Sequence, residues 1–185
     1  MLANLKYSTR KPVILFLFIW IALGLTACQS LRNLDVETET AKGIRQYEAD
    51  SLNAAIKTLS RAIKLDETCS DCYMYRGFSY KAREEYNQAL NDLNAYINLN
   101  ETDAIGYANR GSIHYMMQNY DLALDDFQTA LVLKPGFYQM YNTVSHMYWA
   151  TGKKEECCRY YRKALYAGDS TFDKRIIEYC NSRKE

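Results

Sequence analysis

The chain has 185 residues, 48% of them hydrophobic, with 23 Lys and Arg against 22 Asp and Glu and a formal charge of +1. That length suits one domain with a sizeable core. The balanced charge lacks the basic excess that binds a phosphate backbone, so no nucleic-acid partner is expected.

Lys6, Arg10 and Lys11 open the chain, and the stretch from Val13 to Ala27 carries no charge. A run of about 15 residues fits the apolar region of a signal peptide better than the ~20 residues of a spanning helix. It ends in Leu25-Thr26-Ala27-Cys28. This quartet resembles the lipobox of bacterial lipoproteins, in which a branched apolar residue and two small ones precede an obligatory cysteine. The competing reading is an uncleaved transmembrane anchor with a coincidental cysteine. The resemblance implies that residues 1–27 are a signal peptide and that Cys28 begins the mature chain. Cys28 would then carry a diacylglycerol and an N-acyl lipid such as palmitate, and residues 28–35 would form a lipidated tether. Two or three acyl chains anchor stably where one is marginal. Gln29 is not the Asp that signals inner-membrane retention, so the expected location is the outer membrane, facing the periplasm. Removing residues 1–27 takes away three of the 23 basic residues and no acidic ones, which leaves a formal charge of −2.

From residue 36 the sequence repeats with a constant step. Lys42-Gly43, Arg76-Gly77 and Arg110-Gly111 keep this step, as do Ala55, Ala89, Ala123 and Cys157. Ala62, Tyr96, Ala130 and Ala164 form another column, and Leu65, Leu99, Leu133 and Ala167 a fourth. Each unit holds two apolar-periodic segments around a short polar turn. In one of them Tyr86, Ala89, Leu90, Leu93, Tyr96 and Ile97 lie at helical spacing. The small columns mark where two helices must approach closely. Tyr80, Tyr86, Tyr120, Phe127, Tyr148 and Tyr161 are expected to fill the space between helices, and Ser51 and Asn119 are candidate helix caps.

Period and pattern resemble the tetratricopeptide repeat, a helix-turn-helix unit of ~34 residues. The expected fold is all-α: a right-handed α-solenoid of four such units at 36–69, 70–103, 104–137 and 138–171, closed by a capping helix at 172–185. Pro135-Gly136 stands at the usual proline position of the motif. The first unit has Thr38 and Glu39 where an aromatic is expected, so its leading helix is expected to fray. The fourth has Ser145 for glycine and Cys157 for alanine. In the last segment Ile176, Ile177 and Tyr179 would pack inward, with Lys174, Arg175 and Arg183 in water.

Five cysteines follow Cys28. Cys69-Ser-Asp-Cys72 has the spacing of a redox or zinc site, but no second such pair follows and the two histidines lie far away in sequence. An ordinary thiol pair, a local disulfide and metal or redox chemistry all stay open. Cys157 reads as a small core residue, and Cys158 with Cys180 is a candidate disulfide. Nothing resembles a nucleophile elbow, a phosphate loop or a metalloprotease helix, so no enzyme, no metal site and no cofactor beyond the lipid are expected. The adjacent acids Glu84-Glu85 and Asp125-Asp126 read as solvated helix faces.

The repeat resemblance implies a concave groove lined by the first helix of each unit. Mapped onto this chain, the groove takes Asp71, Met74, Tyr75, Phe78 and Lys81 from the second unit and Asn109, Ser112, Tyr115 and Met116 from the third. The fourth supplies Gln139, Asn142, Thr143, His146 and Trp149. Aromatic anchors among amides suit a protein or extended peptide partner. Chaperone-binding members clamp a C-terminal carboxylate with several lysines and asparagines, which Lys81 alone does not reproduce. The expected function is a lipid-anchored scaffold or adaptor of the cell envelope. The alternatives are an assembly factor, similar to pilotins of type IV pili or to outer-membrane protein assembly subunits, and a thiol- or metal-binding protein. Cys28→Ala is expected to leave the precursor uncleaved and unlipidated, as read by its mass and by metabolic labelling with a fatty acid. Normal maturation of that variant would remove the lipoprotein reading.

Overall fold

The computed structural model describes residues 32–168 and 171–183, apart from the side chains of Tyr138 and Gln139. Residues 1–27 and Cys28 lie outside the described residues. The described chain is entirely helical, without strands. Helix α1 covers residues 32–48. It is followed by α2 (Leu52–Leu65), α3 (Ser70–Ala82), α4 (Tyr86–Leu99), α5 (Ala104–Met116), α6 (Tyr120–Leu133), α7 (Tyr138–Ala150), α8 (Lys154–Tyr166) and α9 (Lys174–Ser182). Helices α3, α5 and α7 begin one repeat step apart, and each helix packs chiefly on its neighbours in sequence. The result is a helical solenoid of the tetratricopeptide type. Helix α1 already includes residues 32–35, which the sequence reading assigned to the tether. It also runs unbroken through Thr38 and Glu39, where fraying was expected; the Thr38 and Thr40 hydroxyls donate back to the carbonyls of Leu34 and Val36.

The second helix of each unit buries a stripe at positions i, i+4 and i+7, which is one face of a helix. Ala55, Leu59 and Ala62 of α2 are fully buried. Ala89, Leu93 and Tyr96 of α4 occupy the same places, then Ala123, Phe127 and Ala130 of α6, and Cys157, Tyr161 and Ala164 of α8. The glycine column of the first helices lies against this stripe. A methyl group on Gly43 would sit 2.6 Å from Leu59, and one on Gly111 3.0 Å from Asp126 and Phe127. Gly77 has more room, with its nearest neighbour at 3.4 Å. In the fourth unit Ser145 fits because its buried hydroxyl donates to the Cys157 carbonyl at 3.0 Å. Gly106 makes a further close approach absent from the sequence reading. It meets Ile97 and Tyr96 of the preceding unit, at 2.8 and 2.9 Å from a would-be methyl.

The turns between paired helices repeat as well. Asp50, Glu84 and Gln118 have φ near +60°, and Gly152 completes the column at +78°. Three side-chain-bearing residues therefore accept a left-handed conformation that only the fourth, a glycine, adopts without strain. The expected caps Ser51 and Asn119 make no side-chain cap bond. The capping carboxylates are instead Asp103, which accepts from the Ile105 amide, and Asp173, which accepts from the Arg175 amide. Tyr120 is not an inter-helix filler, being 45% exposed. Phe127, Tyr148 and Tyr161 are buried as expected, and Tyr80 and Tyr86 pack partly buried against the core.

Asp126 corrects the reading of Asp125-Asp126 as a solvated face, since it is buried and paired. Arg110 donates to both of its carboxylate oxygens, at 2.9 and 2.6 Å, and reaches Asn94 of the preceding unit at 2.8 Å. One unit earlier, Arg76 donates to both oxygens of Asp92, at 2.8 and 2.6 Å, and to Ser60 at 3.0 Å. Each arginine thus joins its own helix pair to the helix before it. Burial pushes the Asp92 carboxyl above its ordinary value, and the bonds from Arg76 offset this only in part.

Among the described residues two disulfides are present, Cys69–Cys72 and Cys158–Cys180, and Cys157 is buried and free. Of the readings left open for the first pair, the structure takes the local disulfide. Helix α9 closes the array. Ile176 and Cys180 are buried in the terminal core, Ile177 and Tyr179 pack against it, and Lys174, Arg175 and Arg183 are exposed. Among the described residues no helix is long and apolar enough to cross a membrane. Arg110→Met strands the Asp126 carboxylate and is expected to cost about 3 kcal/mol in a urea melt, while Arg110→Met with Asp126→Leu recovers most of it. A single variant as stable as the parent would show that the pair does not hold the units together.

Candidate functional site

The first helices of successive units stand side by side, and two clefts open along them. The larger, of about 930 Å³, lies between Tyr115 and Tyr120 on one side and Asn142, His146 and Trp149 of α7 on the other. Thr171, Asp173 and Arg175, at the entry to α9, close its far end. The smaller, of about 370 Å³, lies between Tyr47 of α1, Phe78 and Lys81 of α3, and Asn109 and Met116 of α5.

The residues of the smaller cleft are held by one another. The Tyr75 and Phe78 rings meet edge to face at 5.8 Å, and Tyr47 packs on both at 5.8 and 6.0 Å. The Lys81 ammonium donates to Ser112 at 3.0 Å, a bond between the first helices of two units. Burial lowers the pKa of Lys81, so this cation is worth more to an incoming acceptor than one in bulk water. Asn109 spends one amide hydrogen on the Ile105 carbonyl of its own helix at 2.9 Å. Met74 is half-buried on α3 and lines neither cleft.

The larger cleft has a mixed lining. Tyr115 is 49% exposed, and its ring packs edge to face on Tyr120 at 5.7 Å. Trp149 plays a different part: it meets Tyr179 of α9 edge to face at 5.6 Å, with the Lys154 ammonium 3.1 Å from its ring centre. His146 stacks on Phe172 at 6.1 Å. The Asn142 amide donates to the carbonyl and hydroxyl of Thr171, both at 3.1 Å. Trp149, His146 and Asn142 therefore face the cleft and also fasten the terminal segment to α7. At the rim, the hydrogen bonds from Arg175 hold the Asp173 carboxyl down at about 2, so it stays ionised.

The expected groove residues thus separate into two groups. Phe78, Lys81 and Asn109 line the smaller cleft, with Tyr75 and Ser112 supporting it. Tyr115, Asn142, His146 and Trp149 line the larger. The sequence reading missed Tyr47, Tyr120 and the segment from Thr171 to Arg175. A signal for Tyr47 was present: Tyr47, Lys81, Tyr115 and Trp149 stand one repeat step apart, so the same register reaches back into the first unit. The terminal segment had no such signal, because it lies beyond the last repeat.

Family models of the tetratricopeptide repeat match residues 104–137 and 138–167. Comparison with curated proteins finds no match. Among solved structures, a crystal structure of MamA superposes with a TM-score of 0.70 at 28% identity, over 72% of this chain and 78% of MamA. The first tetratricopeptide repeat domain of Spaghetti (RPAP3), solved with the HSP90 peptide SRMEEVD, gives 0.62 at 19% identity, over 64% of this chain and 94% of that one. PilF of Pseudomonas aeruginosa gives 0.64 at 16% identity, over 74% and 62%. Residues 104–167 carry tetratricopeptide repeats, and the fold of the described chain is the helical solenoid that such repeats build.

Proposed function

We propose that the chain is a lipid-anchored scaffold of the bacterial cell envelope that holds an extended segment of a partner protein along its first helices. One observation carries the reading: exposed Tyr115 and Tyr120 face Asn142 and Trp149 across an open cleft of about 930 Å³. Aromatic rings supply contact area at low entropic cost, and polar groups at the rim hydrogen-bond a peptide backbone. The fold supports the same reading, since a structure of this type has been solved with a peptide bound. The anchor would be the acylated Cys28, and the expected compartment is the periplasmic side of the outer membrane. The chain is proposed to bind rather than to catalyse.

Tyr115 and Trp149 separate binding from packing. Tyr115→Ala removes an exposed ring and is expected to weaken capture of the crosslinked partner, by ~2 kcal/mol if Tyr115 is a hot spot, with the melting curve almost unchanged. Trp149→Ala also removes the contact with α9 and is expected to lower both binding and melting temperature. Pull-down from membranes and thermal melts on the same two variants decide the matter. Undiminished capture by Tyr115→Ala would move the binding face elsewhere.

A further inference from the structure

The Cys69–Cys72 disulfide has no part in the proposed binding clefts, and its surroundings differ from those of Cys158–Cys180. It spans a sequence separation of 3, against 22 for the other bond. A short ring constrains the unfolded chain less, so opening it withdraws less support from the fold. Its two sulfurs are also unequal. Cys72 is fully buried in the core formed by Ala55, Leu59 and Ala62, whereas Cys69 is half-buried at the start of α3. In the other pair Cys158 and Cys180 are both buried. Finally, a hydroxyl stands beside the short bond. Thr40 Oγ1 of α1 lies 3.0 Å from Cys72 Sγ and 3.5 Å from Cys69 Sγ.

We infer that Cys69–Cys72 is an exchange-competent disulfide that passes its oxidising equivalents to a dithiol on a partner protein, while Cys158–Cys180 is a structural bond. A thiolate of the partner attacks Cys69 Sγ, the accessible sulfur. A new bond forms between the two, the Cys69–Cys72 bond breaks, and its electron pair goes to Cys72 Sγ. The Thr40 hydroxyl, which in the resting chain donates to the Val36 carbonyl, can turn to donate to this leaving thiolate. The partner's second thiolate then attacks its own sulfur in the mixed disulfide and releases Cys69. After two protons are taken up, the chain holds a dithiol and the partner a disulfide. Attack on the accessible sulfur, with the leaving group stabilised, is the course that thiol–disulfide exchange favours.

The full chain, held in glutathione buffers of graded ratio, quenched by alkylation and read by mass spectrometry, tests this. Cys69–Cys72 is expected to open with an equilibrium constant at least ~10-fold larger than that of Cys158–Cys180, which is ~30 mV for a two-electron couple. Helical circular dichroism should persist at that point. Cys72→Ser is expected to trap glutathione on Cys69, and Cys69→Ser to leave the buried Cys72 unmodified. Thr40→Val should slow the exchange severalfold. Three results would overturn the inference: equal or later reduction of Cys69–Cys72, loss of helicity when it opens, or equal trapping on the two serine variants. An unchanged rate in Thr40→Val would remove Thr40 from the step.

Discussion

Close approach of two helices within each unit is the constraint on which this molecule depends. An α-helical hairpin of this length cannot bury its apolar face alone, so each unit must also lie flush against the next. Both demands fall on a few backbone positions. Gly43 leaves no room for a methyl group beside Leu59 and Gly111 very little beside Phe127, and Gly106 leaves none beside Ile97 and Tyr96. The first two set the spacing inside a unit and the third sets it between units. Ser145 shows the limit of the constraint: a side chain is admitted where it is small and its hydroxyl has a buried acceptor.

Close packing brings charge into the core. Arg76 and Arg110 lie beside the glycine column and cannot reach water fully, so their carboxylate partners, Asp92 and Asp126, are buried with them. Such pairs are expensive to desolvate, and they add little net stability compared with apolar residues of the same size. What they add is geometry. A guanidinium that uses two nitrogens on its own unit and a third on the preceding one restricts how the units rotate against each other. The fourth unit has no such pair, since Val144 stands in the arginine column and Tyr160 in that of the aspartate. There the join is made by the largest apolar cluster, by α9 and by the Cys158–Cys180 disulfide.

The clefts follow from this arrangement. First helices that stand side by side leave a channel between them, and residues one repeat step apart face it together. The column of Tyr47, Lys81, Tyr115 and Trp149 gives the channel an aromatic lining with one cation set among the rings. Its end is not open, because the segment from Thr171 to Arg175 crosses beside α7. That segment takes part of Asn142 and His146 for itself, Tyr179 of α9 takes a face of Trp149, and Tyr115 and Tyr120 are left as the rings most available to a partner.

The repeat was legible in the sequence because a helical pair must return its small residues to the same seam at a fixed step, and the glycine and alanine columns display that step directly. The all-helical class, the pairing of helices and the inward face of α9 followed from it. Residues without a column, or whose role depends on a distant partner, were not legible. Asp126 looked solvated beside Asp125, because its place in the core is set by Arg110, a full helix away. The turn residues Glu84 and Gln118 gave no hint of a left-handed backbone, since the adjoining helices impose it on side chains that do not favour it. Only the tertiary structure decided which thiols pair and which aromatics line a cleft rather than fasten the cap. Periodicity reports the face a residue occupies, whereas these choices depend on which other element covers that face.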